Sequence, residues 1–201
     1  MSKFRQVKWA LQQDKSDSVC DNRKYSARWV RWKSGSEGWI ILNTDGAAKG
    51  NPGPTGAGGV LRGDKGEWLV GFLENLGHCS SIKAEFKAVW RGLNLANEMQ
   101  AQRVWLQIDS KIVVSMLTRQ TQWHPEHRVI LQKCSSLLEW VGWEVRVTHC
   151  FRDANQVADF LAKMGSDGTV GVTIHRSLPM GVWEALYADS SGVYWPRLCK
   201  S

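Results

Sequence analysis

Four acids, Asp45, Glu85, Asp109 and Asp159, each interrupt an apolar segment of this 201-residue chain, in the order strand, helix, strand, helix. An unpaired buried carboxylate is costly, so a fold that gathers such acids must give them a positive partner. No pattern of Lys or Arg serves all four together, whereas a divalent metal site for phosphate chemistry does.

The segments around the acids set the fold. Residues 39–47 read as an apolar strand that ends polar, with Asp45 near its end. Residues 50–56 are a turn by composition, and 58–62 with 67–73 flank 63–66 as a hairpin. Ser80 and Ser81 can cap a helix whose apolar stripe is Phe86, Val89, Leu93 and Ala96. A strand at 103–108, a short helix at 110–117, a polar loop at 119–125, a helix at about 126–141, a strand at 143–149 and a helix at about 153–164 follow. This order predicts an α/β fold: a five-stranded mixed sheet, three antiparallel strands then two parallel, with helices packed on it. Residues 1–38 read as a basic arm or linker, 39–165 as the domain, and 166–201 as an extension with one short helix at 177–186. Trp29 and Trp32 are expected to begin packing on the domain, and Trp90 and Trp105 to lie in its core.

Each acid also has a structural explanation. Asp45-Gly46 is a common turn pair, but the turn signal comes five residues later. Glu85 suits the positive end of its helix, yet it shares a face with Val89 and Gly92 at the edge of the buried stripe. Asp109 can cap the helix that starts at Ser110, and Asp159 can pair with Lys163 one turn on. The set is more telling than its members. A mixed sheet brings the ends of central strands together, and a crossing helix adds a further acid. Mg²⁺ binds through one or two carboxylates and keeps its other positions for water and substrate phosphate.

Composition removes other classes. No run approaches the roughly 18 apolar residues of a membrane span, and no signal peptide opens the chain, so an intracellular protein of nucleus or cytoplasm is expected. The five cysteines are scattered without a C-x-x-C pair, which argues for reduced thiols and against a zinc framework. Of the net charge of +7, residues 1–38 contribute +5, which suits a polyanionic partner or a solvated leader.

The residues around the acids resemble type 1 ribonuclease H. The resemblance rests on Thr44-Asp45-Gly46-Ala47 with the 50–54 loop, Ala84-Glu85, Ile108-Asp109-Ser110, and the step from His149 through Asn155 to Asp159. It covers about residues 39–165, and residues 39–47, 151–159 and 192–197 are similar to a plant, retroelement-type (reverse-transcriptase-like) branch. The resemblance implies endonucleolytic cleavage of the RNA strand of RNA–DNA hybrids with two Mg²⁺ ions, for which Mn²⁺ can substitute. It implies Asp45, Glu85, Asp109 and Asp159 as metal ligands, His149 as the proton-transfer or product-release residue, and Gly46, Asn51, Ser81, Ser110 and Asn155 as substrate contacts. A monomer without membrane association is expected. The alternative is a catalytically weak nucleic-acid-binding remnant of a non-LTR retroelement.

Lys111 stands where the family commonly has Gln, and Ser81 where Asn is common; both keep hydrogen-bonding ability. The 119–125 loop is too short for the basic handle of some relatives. Within it, Trp123 is a candidate for stacking on the DNA strand, while His124 and His127 read as surface residues. The basic arm can compensate for the missing handle. Deleting residues 1–38 is expected to raise the Michaelis constant for hybrid and flatten its salt dependence; an unchanged salt dependence removes that role.

Overall fold

The computed structural model of the chain describes residues 25–121 and 125–200. Most of the basic arm, Trp123 and His124 lie outside those residues. The larger compact unit runs Trp29–Arg197. Its sheet has six strands in the order β6-β5-β2-β3-β4-β7. β2 is Ile40–Ala48, β3 Gly53–Arg62, β4 Trp68–Cys79, β5 Arg103–Ile108, β6 Glu144–His149 and β7 Gly171–His175. β1 (Tyr25–Val30) and β8 (Trp195–Lys200) form a separate two-stranded sheet. The helices are α1 (Ser81–Glu98), α2 (Lys111–Leu117), α3 (Arg128–Leu138), α4 (Gln156–Asp167) and α5 (Trp183–Ser190).

β2, β3 and β4 are antiparallel neighbours, and β5 and β6 add on in parallel, as the element order predicts. The sixth strand corrects the five expected. β7 pairs antiparallel with β4 from Gly71↔His175 to Glu74↔Val172. It is five residues long, mostly exposed and preceded by Gly168, so its sequence reads as loop. The helix expected at 177–186 lies further on, at Trp183–Ser190.

Successive strand residues point to opposite faces, which divides the core in two. Leu42, Leu61 and Leu106 pack with Phe86, Val89 and Leu93 of α1. On the other face Val60 meets Val157 and Leu161 of α4 and Val182. Close approach on each side needs missing side chains. A Cβ on Gly46 would lie 2.4 Å from the Glu85 backbone nitrogen, and one on Gly58 would lie 2.1 Å from that of Ala162. Glycine at these two positions therefore lets α1 and α4 rest directly on the strands that flank the site.

Some apolar expectations change. Trp32 is buried but Trp29 is 52% exposed. Trp90 is half-buried at the core's edge, and Trp105 is half-buried on β5, where it donates its indole N–H to Thr148 Oγ1 at 2.8 Å. His127, expected at the surface, is buried in the 3₁₀ turn before α3, with its ring centroid 5.9 Å from that of Phe86. Its turn folds it under the helix instead of out from it. The 50–56 turn is also shorter than expected, since β3 already begins at Gly53.

A buried polar chain ties the flanking segments to β2. Arg62 Nη1 donates to Asp189 Oδ2 at 2.8 Å with both side chains inaccessible, and the Arg62 guanidinium lies 4.6 Å from the Trp32 ring centroid. Trp32 Nε1 donates to Asn43 Oδ1 at 2.9 Å, Asn43 Nδ2 to Gln107 Oε1 at 3.2 Å, and Gln107 Nε2 to the Lys33 carbonyl at 3.0 Å. Asn43 is two residues before Asp45. Burial lowers the Arg62 pKa and raises that of Asp189, each opposed by its partner. Breaking such a pair strands a charge, whereas replacing both members with apolar groups does not. Asp189→Ala is expected to lose about 3–5 kcal/mol of stability in urea unfolding. Arg62→Met with Asp189→Leu should recover most of it.

Candidate active site

Register brings the first two acids together. The parallel pairing of β2 with β5 ends at Thr44↔Ile108, so the next residues, Asp45 and Asp109, stand side by side where the paired stretch ends. Asp45 lies within β2, which continues to Ala48, and not at the strand's end. Asp109 is not the cap of α2: the Ser110 hydroxyl takes that place, accepting from the Val113 N–H at 3.4 Å. Its structural explanation therefore falls away. Glu85 arrives from α1, which Ser80 caps and Gly46 admits.

Asp45, Glu85 and Asp109 each offer a carboxylate oxygen within 4.8 Å of the others. Asp45 is buried, and Asp45 Oδ2 and Glu85 Oε2 are inaccessible atoms without a hydrogen-bond partner. Burial, then the charges of Asp109 and Asp159, push the Asp45 pKa up to about 7. Burial and the neighbouring Asp45 hold Glu85 well above the usual carboxylate range. Burial also raises Asp109, with Arg152 opposing. These are the marks of a site short of positive charge. Orphaned hard oxygen donors fit Mg²⁺ or Mn²⁺, and these three acids could hold such an ion.

Asp159 stands apart from that cluster. Arg152 Nη2 donates to its Oδ1 at 3.0 Å and Lys163 Nζ to its Oδ2 at 2.5 Å. Burial alone would raise its pKa, but the hydrogen bonds from Lys163 and Arg152 outweigh this and hold it below the ordinary value. The Lys163 pairing is the one its spacing suggests. Arg152 is the partner that sequence reasoning missed. It lies within the 151–159 segment that carries the resemblance, and its charge also acts on Asp45, Glu85 and Asp109.

His149 ends β6 beside Ile108, with its Nε2 3.2 Å from the Asp109 carbonyl oxygen. Burial lowers its pKa, with the hydrogen bond to the Asp109 backbone opposing, which favours the neutral ring. It lines a cleft of about 980 Å³ together with Asp45, Glu85, Asp109 and the cations Lys49, Lys111, Arg152, Lys163 and Arg197. Gly46, Asn51, Ser81 and Ser110 also line it, and Asn51 Oδ1 accepts from the Ser81 N–H at 3.1 Å. Asn155 does not. It is fully buried and donates Nδ2 to the Thr44 carbonyl at 3.0 Å, tying the start of α4 to β2 just before Asp45. That placement leaves Asn155 outside the cleft lining. Lys49, paired with Asp167, and Arg197 are further cleft cations that their sequence context did not single out.

The sheet order, the crossing helix and the acids at the strand junction define a ribonuclease H-like fold. The RNase H1 crystal structure from Halobacterium salinarum matches it at 29% identity with a TM-score of 0.61, covering 64% of this chain and 98% of that one. A structure of LC11-RNase H1 in complex with an RNA/DNA hybrid matches at 28% identity and TM-score 0.59, covering 64% and 96%. The chain belongs to the reverse transcriptase-like family, whose model matches residues 43–165. An Arabidopsis thaliana protein named as a candidate ribonuclease H protein is 38% identical over 171 residues, 85% of this chain; the chain spans 27% of that protein's length. Among the described residues, no helix is long and apolar enough to cross a membrane.

Without a cation, folded Asp45 keeps a proton that the unfolded chain has already released between the ordinary Asp range and about pH 7. The metal-free protein therefore loses stability as pH rises through that window. Asp45→Asn is expected to stabilise the metal-free protein by about 2 kcal/mol at pH 8 and to change little at pH 4. Thermal unfolding in chelator at the two pH values checks this.

Proposed function

We propose that this chain hydrolyses the RNA strand of RNA–DNA hybrids, with residues 39–165 as the catalytic domain. The observation that carries the reading is the three-acid cluster, within 4.8 Å and with orphaned buried oxygens, inside a cleft that five Lys and Arg side chains also line. A nucleic-acid backbone suits the cations, and a divalent ion suits the acids.

Asp45, Glu85, Asp109 and Asp159 would hold two Mg²⁺ ions. When bound, such ions supply charge stabilisation at phosphorus and acidify the attacking water. The remaining work falls to the protein's own groups. Lys49, Lys163 and Arg152 hold phosphates of the substrate along the cleft. Neutral His149 accepts or passes a proton at Nδ1, since its Nε2 faces the Asp109 carbonyl. Asn51, Ser81 and Ser110, with the Gly46 backbone, offer polar contacts to the hybrid. Discrimination of RNA from DNA falls to those that reach the 2′-hydroxyls across the minor groove.

Asp159 must leave at least part of its Arg152–Lys163 clamp to serve as a ligand. The clamp keeps the fourth acid ionised, and a substrate phosphate would compete with it for the Arg152 and Lys163 side chains.

The test is cleavage of a labelled RNA–DNA hybrid with Mg²⁺, and with Mn²⁺, beside single-stranded RNA and duplex DNA. Asp109→Asn is expected to lower turnover by about a thousandfold, the scale of several kcal/mol of lost charge stabilisation, while hybrid binding stays within a few-fold. Full activity in that variant contradicts the assignment.

A further inference from the structure

The family match stops at residue 165, yet Arg197, far beyond it and beyond the end of α4, also lines the cleft. Arg197, on β8, donates Nη1 to Asp153 Oδ2 at 3.0 Å, and its guanidinium lies 4.9 Å from the Phe151 ring centroid. Phe151 meets the His149 ring edge-on, with 5.5 Å between centroids. A single guanidinium thus holds the residues on both sides of Arg152, whose own guanidinium holds Asp159.

The segment so gripped has few holds of its own besides the Gln156 Nε2 donation to the Asp153 carbonyl at 2.9 Å. It leaves β6 and enters α4 through one 3₁₀ turn, Arg152–Ala154, and neither that turn nor α4 has a side-chain cap. Two backbone bonds close it, Ala154 N–H to the Phe151 carbonyl at 2.8 Å and Asn155 N–H to the Arg152 carbonyl at 3.0 Å. Asn155 fixes its inner end through the Thr44 carbonyl. The outer end carries His149, Phe151 and Arg152, and there Arg197 supplies both a charge-assisted hydrogen bond and a planar contact with the ring.

We propose that Arg197 is a positioning residue for the acid-lined site: it clamps the Phe151–Asp153 turn and thereby sets where the His149 ring and the Arg152 guanidinium stand. The C-terminal segment is then a working part of the site. The rate effect of the clamp rests on the hydrolytic reading above, but its structural effect does not. An Arg fork with a stacking face differs from Lys in both respects, so Lys is expected to replace it only in part. The Arg197–Asp153 pair is itself half-exposed and contributes little to global stability, which separates positioning from folding.

The test uses the full chain as wild type, Arg197→Ala and Arg197→Lys. Ring resonances of His149 and Phe151 are recorded by NMR at one fixed pH without metal, alongside unfolding midpoints and hybrid kinetics with Mg²⁺. In Arg197→Ala both sets of ring resonances are expected to move and the midpoint to stay nearly constant. In the same variant kcat should fall about tenfold with KM within about twofold, the pattern of a misplaced group and not of lost binding. Arg197→Lys should recover part of each change. Unmoved ring resonances in Arg197→Ala overturn the proposal, as does a loss of kcat that only tracks loss of folded protein. A wild-type chain that cuts no hybrid refutes the hydrolytic reading, while the resonances still decide the clamp.

Discussion

Mutual repulsion among Asp45, Glu85 and Asp109 is the constraint that most of the surrounding structure answers. Their ligating oxygens lie within 4.8 Å of one another, in a place where burial already disfavours charge. The packing around them brings them there. The β2–β5 register sets Asp45 beside Asp109, and Gly46 lets the α1 backbone close in with Glu85. The apolar stripe of α1, through Phe86, Val89 and Leu93, supplies the burial that keeps that approach favourable. The fold thus stores an unmet demand for positive charge, and Arg152 meets part of it from outside the cluster.

Much of this arrangement is legible in the sequence because it depends on short-range pattern. Strand and helix periods locate the elements that carry the acids, and the Ser80 cap places Glu85 one turn inside α1. Asp109 is harder, because Asp and Ser are both good helix caps and only the three-dimensional register shows that Ser110 takes that place. The Asp159–Lys163 pair follows from i, i+4 spacing, whereas Arg152 reaches Asp159 across a turn whose shape no periodicity encodes. Asn155 is a different case. A polar residue within a functional motif reads as a substrate contact, but here the chain folds it inward onto the Thr44 carbonyl.

The flanking segments were the least legible. β7 is a short, exposed edge strand, and β8 carries no alternation that would mark it. The flanking segments act through individual long-range contacts. The Arg62–Asp189 pair and the chain from Trp32 to Asn43 and Gln107 brace β2 just before Asp45, while Arg197 braces the turn beyond His149. Sequence separations of up to 127 residues divide these partners, beyond the reach of any local reading.

The most direct test of the central claim counts protons. If the acid cluster is a strained cation site, filling it must expel the protons that burial and repulsion hold on Asp45 and Glu85. Calorimetric titration with Mg²⁺ near pH 6.5, repeated in buffers of different ionisation enthalpy, measures that release. The account predicts saturable binding that liberates about one to two protons per cluster, with the release reduced in Asp45→Asn. Binding without proton release, or no saturable binding, would contradict it.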